Sequence, residues 1–282
     1  MSQKEGPQPV KKFFKKKPKS HPPKDSQPKE HTPKDTSWQK SSAWYDQIVG
    51  EKGHYYHQHV ILPKILPLFK NPSEDSLLDL ACGQGILGRQ LPNTPYQGVD
   101  LSSALIQKAK QYDQSPGHRY QVGDISKPLK IDATFSHASI ILAIQNIREP
   151  LKAFQQAAKH LKPGGKLMLV LNHPCFRIPR QSSWEVDLPN QIQYRRINRY
   201  HSSMEIPIQT HPGQKEQSEN TLSFHHPLSE YFRWLKEAGF VVELLDEWYS
   251  DKESEGGRAR MENASRFEIP LFLFLLAAKK EL

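Results

Sequence analysis

Residues 77–88, LLDLACGQGILG, decide the fold of this chain. A mostly apolar run opens into a loop with glycines at 83, 85 and 88, and a second apolar-periodic segment follows. That order reads as buried strand, tight turn and helix, the entrance of a nucleotide-type α/β domain. Gly83 and Gly85 carry no Cβ, so they can take backbone angles closed to other residues and let a ligand lie directly on the main chain. A glycine pattern of this kind also occurs in plain strand-to-helix turns, so the case rests on the segments that come after it.

Two further carboxylates arrive in order. YQGVD places Asp100 at the end of a second apolar-aromatic run, fifteen residues beyond Gly85, and LSSALIQKAK continues with helical spacing. An ionised carboxylate at that strand end can accept hydrogen bonds from both hydroxyls of a ribose. RYQVGDIS then puts Asp124 at the end of a third short strand. A single aspartate at a strand end is commonly a turn or capping residue. Asp79, Asp100 and Asp124 at three strand ends around one glycine loop form a site more readily than three separate turns.

On LDLACGQG, VDLS, GDI and LKPGGKLMLV the chain resembles the class I S-adenosylmethionine-dependent methyltransferases, in their compact single-domain, type 11-like branch. The resemblance covers roughly residues 76–170 and weakens beyond. It implies a Rossmann-like three-layer α/β fold: a mostly parallel seven-stranded sheet closed by a C-terminal antiparallel hairpin. It also implies S-adenosylmethionine as cofactor, with Asp79, Ala81, Gly83 and Gly85 at its methionine part. Asp100 would take the ribose, Leu101 would pack on adenine, and Asp124 with Ile125 would read the adenine edge. Ala81 departs from the family pattern, standing where the first loop glycine often stands. A nicotinamide dinucleotide is the rival, but its pyrophosphate wants a helix N-terminus free of negative charge, whereas a sulfonium cation tolerates Asp79 and Asp124.

The chain has 282 residues and a formal charge of +9. Residues 1–40 hold eleven lysines against four acids, so the tail carries +7 and the rest only +2. This Lys/Pro-rich tail, with KKFFKKKPK at 11–19, is expected to be disordered. It reads either as an idle solubilising extension or as an electrostatic tether to RNA, DNA or another anionic surface. No run of eighteen apolar residues is present, so no membrane span is expected. Two cysteines, Cys82 and Cys175, make no disulfide or metal framework, and a cytoplasmic location is the simple expectation. Oligomeric state leaves no mark in the sequence.

Residues 41–282 are expected to form the methyltransferase domain. Within it, 41–70 would be a helical cover carrying Trp44, Tyr45, Tyr55, Tyr56 and His57, rings that could equally pack the outer helix layer. The polar stretch 176–227 is too long for an ordinary loop and reads as an insertion over the carboxyl edge of the sheet, a substrate lid. Its Arg177, Arg180 and Arg199 are candidates to hold an anionic acceptor, the alternative being a solvated hairpin. For an oxygen acceptor, His173, His225 and His226 are candidate bases, though capping or core roles are open to each. Asn-Pro-Pro-Tyr and Asp-Pro-Pro-Tyr are absent after the fourth strand, which argues against nucleobase amino-group chemistry. Three functions follow: methyl transfer to a small or medium acceptor, RNA methylation aided by the tail, and cofactor binding without catalysis.

Overall fold

A computed structural model describes residues 42–71, 74–209 and 220–281, together with Thr36, Trp38 and Gln39. Apart from those three, the basic tail lies outside the described residues, as do 210–219 of the insertion and the side chain of Trp44. The centre is β1, Leu77–Leu80, with all four residues buried, as expected of a strand covered on both faces. It pairs in parallel with β2, Tyr96–Asp100, on one side and β4, Phe135–Ile141, on the other. β3, His118–Val122, and β5, Leu161–Asn172, extend the parallel sheet outward. β11, Phe272–Lys279, runs antiparallel to β5, and β10, Phe240–Trp248, runs antiparallel to β11. The order β10-β11-β5-β4-β1-β2-β3 is the expected seven-stranded sheet with its closing hairpin.

Pleating divides the core into two layers. Leu78 and Leu80, Leu167, Leu169 and Leu171, and Leu273 and Leu275 face one cluster, completed by Phe154 and Tyr231. Leu77, Met168 and Val170, and Phe272 and Phe274 face the other, completed by Ile61, Ile65 and Trp248. The first is covered by α5, Pro150–His160, and α6, Leu228–Glu237. The second is covered by α1, Ser42–Val49, by α2, Leu62–Ile65, and by α4, Ser103–Tyr112, with α3, Ile86–Arg89, closing the glycine loop. Alternation therefore puts Asp79 on the face of Leu77, beside Tyr96.

In α6 the fully buried residues are Tyr231 and Leu235, while Phe232 and Ala238 are only partly covered. The link between β10 and β11 contains a helix, α7, Ala259–Glu268, of which Ser265 alone is buried, so no apolar periodicity announces it. Pro270 stands two residues before β11, where no ladder donor is lost.

The insertion folds as two hairpins. β6, Ser182–Asp187, pairs with β7, Ile192–Ile197, and β8, Met204–Gln209, pairs with β9, Asn220–His225. In the first hairpin Trp184 lies opposite Arg195 and Val186 opposite Gln193, on one face. That face is turned inward, because Gln193 accepts a hydrogen bond from Ser265 of α7 and Arg195 donates to the Phe176 carbonyl.

Under the glycine loop sits a buried polar triad. The Asp113 carboxylate accepts from the Tyr120 hydroxyl at 2.5 Å and from Nδ1 of His118 at 2.6 Å, while Nε2 of His118 faces the Leu91 and Thr94 carbonyls. Burial alone would raise the Asp113 carboxyl, but hydrogen bonds from Tyr120, His118 and Ser115 hold it at about 2. A depressed carboxyl contributes stability that is complete above its unfolded value of about 4 and is lost as pH falls towards 2. Urea unfolding of the wild type is accordingly expected to weaken over that window. Asp113→Asn should be about 2 kcal/mol less stable at neutral pH and show a shallower acid decline.

Candidate active site at the carboxyl edge of the sheet

The loop after β1 is held by backbone hydrogen bonds to one carboxylate. Asp100 accepts from the Gly83 amide at 2.9 Å and from the Ser102 amide at 2.8 Å, one oxygen to each. Burial raises its pKa, and those two amides oppose the rise. Each oxygen keeps a lone pair for a further donor. Ala81, Gly83 and Gly85 all lie in the left-handed region, with φ of 59°, 57° and 76°. Ala81 thus takes an angle that costs a residue with a Cβ about 1 kcal/mol, which explains why glycine suits that position.

The two loop glycines serve different neighbours. A Cβ at Gly83 would meet the Tyr45 hydroxyl at 3.3 Å. A Cβ at Gly85 would meet the Tyr120 hydroxyl at 2.6 Å. The space beside Gly85 therefore belongs to the triad below the loop, and Tyr120 requires this glycine as much as any ligand does.

Asp79 is buried, and its two oxygens accept from Tyr96 and Ser139 at 2.8 and 2.7 Å. Burial raises its pKa to about 6 against those hydrogen bonds, with the Asp100 charge adding to the rise. Asp124 is half-exposed, accepts from the Ser126 amide and hydroxyl, and pairs with Lys127. Ile125 points into the core, and Leu101 is 43% exposed beside Asp100.

Asp79, Ala81 and Cys82 share a recess, partly open to solvent, with Tyr45, His57, Ile61, Leu62 and Ile141. The enclosed space within it is about 30 Å³, room for about one water, so a larger ligand enters only by displacing a side chain. Tyr45 reaches it from α1, which is tied down on α4: Asp46 pairs with Lys108 and accepts from Tyr112, and Gln39 accepts from Ser102 and the Ala104 amide. Tyr55 and Tyr56 point elsewhere, carrying Lys252 over their rings.

Most of the lid and histidine candidates are engaged in structural contacts. Nε2 of His173 donates to Glu247 at 2.7 Å while Nδ1 accepts from the Cys175 amide. His225 donates to the Tyr200 carbonyl, and His226 meets Ser203 with its ring against Trp234. Arg180 and Arg199 are exposed at positive φ. Arg177 is different: it bridges back to the carbonyls of Ile269 and Pro270 at the start of β11. His57, expected from the sequence only as one of several cover rings, is the imidazole in the recess wall. No local motif signals this, since the contact joins a π-helical turn, His57–Ile61, to the loop after β1.

Residues 53–245 match a family model described as a methyltransferase domain. The chain belongs to this methyltransferase family. It is a class I S-adenosylmethionine-dependent enzyme, and S-adenosylmethionine is its cofactor. This methyltransferase is 26% identical over 176 residues to a demethylmenaquinone methyltransferase of Protochlamydia amoebophila, covering 54% of the chain and 73% of the relative. It is 32% identical over 95 residues to a ubiquinone biosynthesis O-methyltransferase of Coxiella burnetii, covering 32% of the chain and 41% of the relative. The chain spans about half the length of several such relatives, 48% and 54% in two others. Its fold is that of a methyltransferase crystal structure from Listeria monocytogenes, with a TM-score of 0.63 at 21% identity, covering 80% and 98% of the two chains.

The residues present fit the cofactor of this methyltransferase. Asp79 and Asp100 are two neighbouring buried carboxyls, and among the described residues neither has a cationic partner. A ligand bearing sulfonium and ammonium charges supplies what they lack. Without it, a carboxyl raised in the folded state contributes stability that is complete below the unfolded value of 3.8 and is lost as pH rises through about 6. The ligand-free protein is expected to lose about 3 kcal/mol between those pH values through this group. Asp79→Asn should flatten that part of the pH profile in urea titrations.

Proposed function

We propose that this methyltransferase methylates a small hydroxyaromatic acceptor, with Nε2 of His57 receiving the acceptor's hydroxyl proton. The carrying observation is His57 itself. It lines the recess beside Asp79 and Ala81, its Nδ1 is buried without a partner, and neither ring nitrogen makes a hydrogen bond among the described residues. Burial, with His54 adding, lowers its pKa to about 4, so the ring is uncharged at neutral pH. One relative's name, a ubiquinone biosynthesis O-methyltransferase, supports an oxygen acceptor, while another's specifies a C-methyltransferase of ubiquinone/menaquinone biosynthesis.

In this reading Asp79, Ala81, Gly83 and Gly85 border the methionine part of the cofactor. Asp100 accepts from the ribose hydroxyls, Leu101 packs on the adenine, and Asp124 with the Ile125 amide reads its edge. S-adenosylmethionine supplies an electrophilic methyl group on a sulfonium, open to in-line displacement. Tyr45 moves off Gly83 and packs over the bound pair, excluding water. His57 would accept the acceptor's hydroxyl proton at Nε2; the hydroxyl grows more acidic as it is methylated, so a weak base suffices. The proton then leaves to solvent. The described parts of the insertion, 176–209 and 220–227, would cover the mouth as a lid.

Calorimetric titration with S-adenosylmethionine and kinetics on a phenolic acceptor test the assignment. Asp100→Ala is expected to abolish measurable donor binding. His57→Ala should leave donor affinity unchanged and lower kcat by about 10²-fold. Unchanged donor binding by Asp100→Ala would sink the cofactor placement, and unchanged turnover by His57→Ala would sink the base. Removal of residues 1–40 should leave small-acceptor kinetics intact; a salt-dependent loss of activity on RNA would instead favour a nucleic-acid substrate.

A further inference from the structure

We propose that Arg177, Trp184 and Arg195 form a receptor for an oxyanion, a carboxylate or phosphate, carried by the acceptor. The proposal rests on the methyl-transfer reading above and identifies the acceptor as anionic. Both guanidinium carbons lie 5.1 Å from the centre of the Trp184 ring. The arrangement follows from the hairpin register, which sets Arg195 opposite Trp184 on the inward face, while Arg177 arrives from the segment leaving β5.

Two cations are thus stacked on one indole without a counter-charge. Arg177 donates only to the carbonyls of Pro270 and Ile269, and Arg195 only to the Phe176 carbonyl and the Ser182 hydroxyl. Neither forms an ion pair among the described residues, and Glu185 pairs with Arg196 and Glu247 with His173. Burial lowers the Arg177 pKa to about 10, with the Arg195 charge adding to the fall and Tyr56 opposing it. A structural arginine held only by carbonyls has no need of a second guanidinium beside it. An oxyanion between the two would relieve their repulsion and use the N–H groups left over, since each guanidinium carries five donors and commits two.

The location suits an acceptor group. The carbonyls that hold Arg177 lie at the start of β11, and Phe272 there pairs with Asn172 at the carboxyl end of β5, the edge where open α/β sheets bind ligands. Tyr56 stands between, its ring against Phe272 and its hydroxyl on Ser250, and the next residue is His57 in the recess wall. Indole and guanidinium planes also accept an aromatic ring, so one end of a hydroxyaromatic acid would rest at the arginines while its hydroxyl faces His57.

Benzoate, phenyl phosphate and neutral benzamide are the probes, titrated calorimetrically into the full-length protein at fixed ionic strength. The wild type is expected to bind at least one anion about tenfold more tightly than benzamide, and the stronger of the two tells carboxylate from phosphate recognition. Arg177→Gln and Arg195→Gln should each lose about tenfold in anion affinity, with Arg195→Lys recovering part of it and S-adenosylmethionine affinity unchanged in all. Equal binding of benzamide and the anions by the wild type overturns the proposal even where a variant fails to fold. Full retention of anion binding by the two Gln variants overturns it too, and locates that binding elsewhere, such as the lysine tail. Absence of S-adenosylmethionine binding by the wild type would strike the methyl-transfer reading instead, leaving the anion preference to stand or fall separately.

Discussion

Two backbone amides, from Gly83 and Ser102, converge on the Asp100 carboxylate, and the geometry of the whole site depends on that convergence. One bond fixes the loop after β1 and the other fixes the start of α4, so the end of β2 sets the distance between the two walls of the cleft. The left-handed turn at Ala81, Gly83 and Gly85 is tolerable because the Gly83 amide within it has a strong acceptor at the end of the next strand. A charge so used is buried beside Asp79, and the electrostatic cost makes the cleft selective for cations before any specific contact is made.

A second layer of support lies beneath. Tyr96 bonds Asp79 and packs against Tyr120, whose hydroxyl ends on Asp113. The glycines at 85, 88 and 98 give these rings their room, since a Cβ at each would come within 3 Å of one of them. The loop therefore rests on tyrosines as well as on its own backbone, which couples the shape of the cleft to a hydrogen-bonded triad that no ligand touches.

Most of the architecture was legible in the sequence because strand ends and glycine turns are local features. LLDL, YQGVD and the PGG near the start of the fifth strand each mark an element within a few residues, and the strand order follows from the family resemblance they carry. The rest depends on contacts between distant segments. Gly85 looked like a ligand cradle, but its partner Tyr120 is thirty-five residues away along the chain. His57 stood among other aromatic rings with nothing to single it out, and the more conspicuous histidines after β5 and β9 proved to be bonded to Glu247, Tyr200 and Ser203. Arginines in the insertion were visible as a group, but only the pairing of Trp184 with Arg195 separates the inward member from its exposed neighbours.

The first hairpin of the insertion has chemically different sides. Trp184, Gln193 and Arg195 lie inward, while Glu185, Ile192, Tyr194 and Arg196 lie on the opposite face. Side chains alternate strictly along a strand, so sliding one strand by a single residue would exchange the two sets completely. The four-residue turn between Asp187 and Ile192, with Gln191 at a φ of 53°, holds the strands in step. A length change of one residue there would turn Tyr194 or Arg196 towards the body of the protein with every amino acid of both strands unaltered. In this segment spacing carries information that residue identity does not, and substitutions in the turn would reach the cleft through register alone.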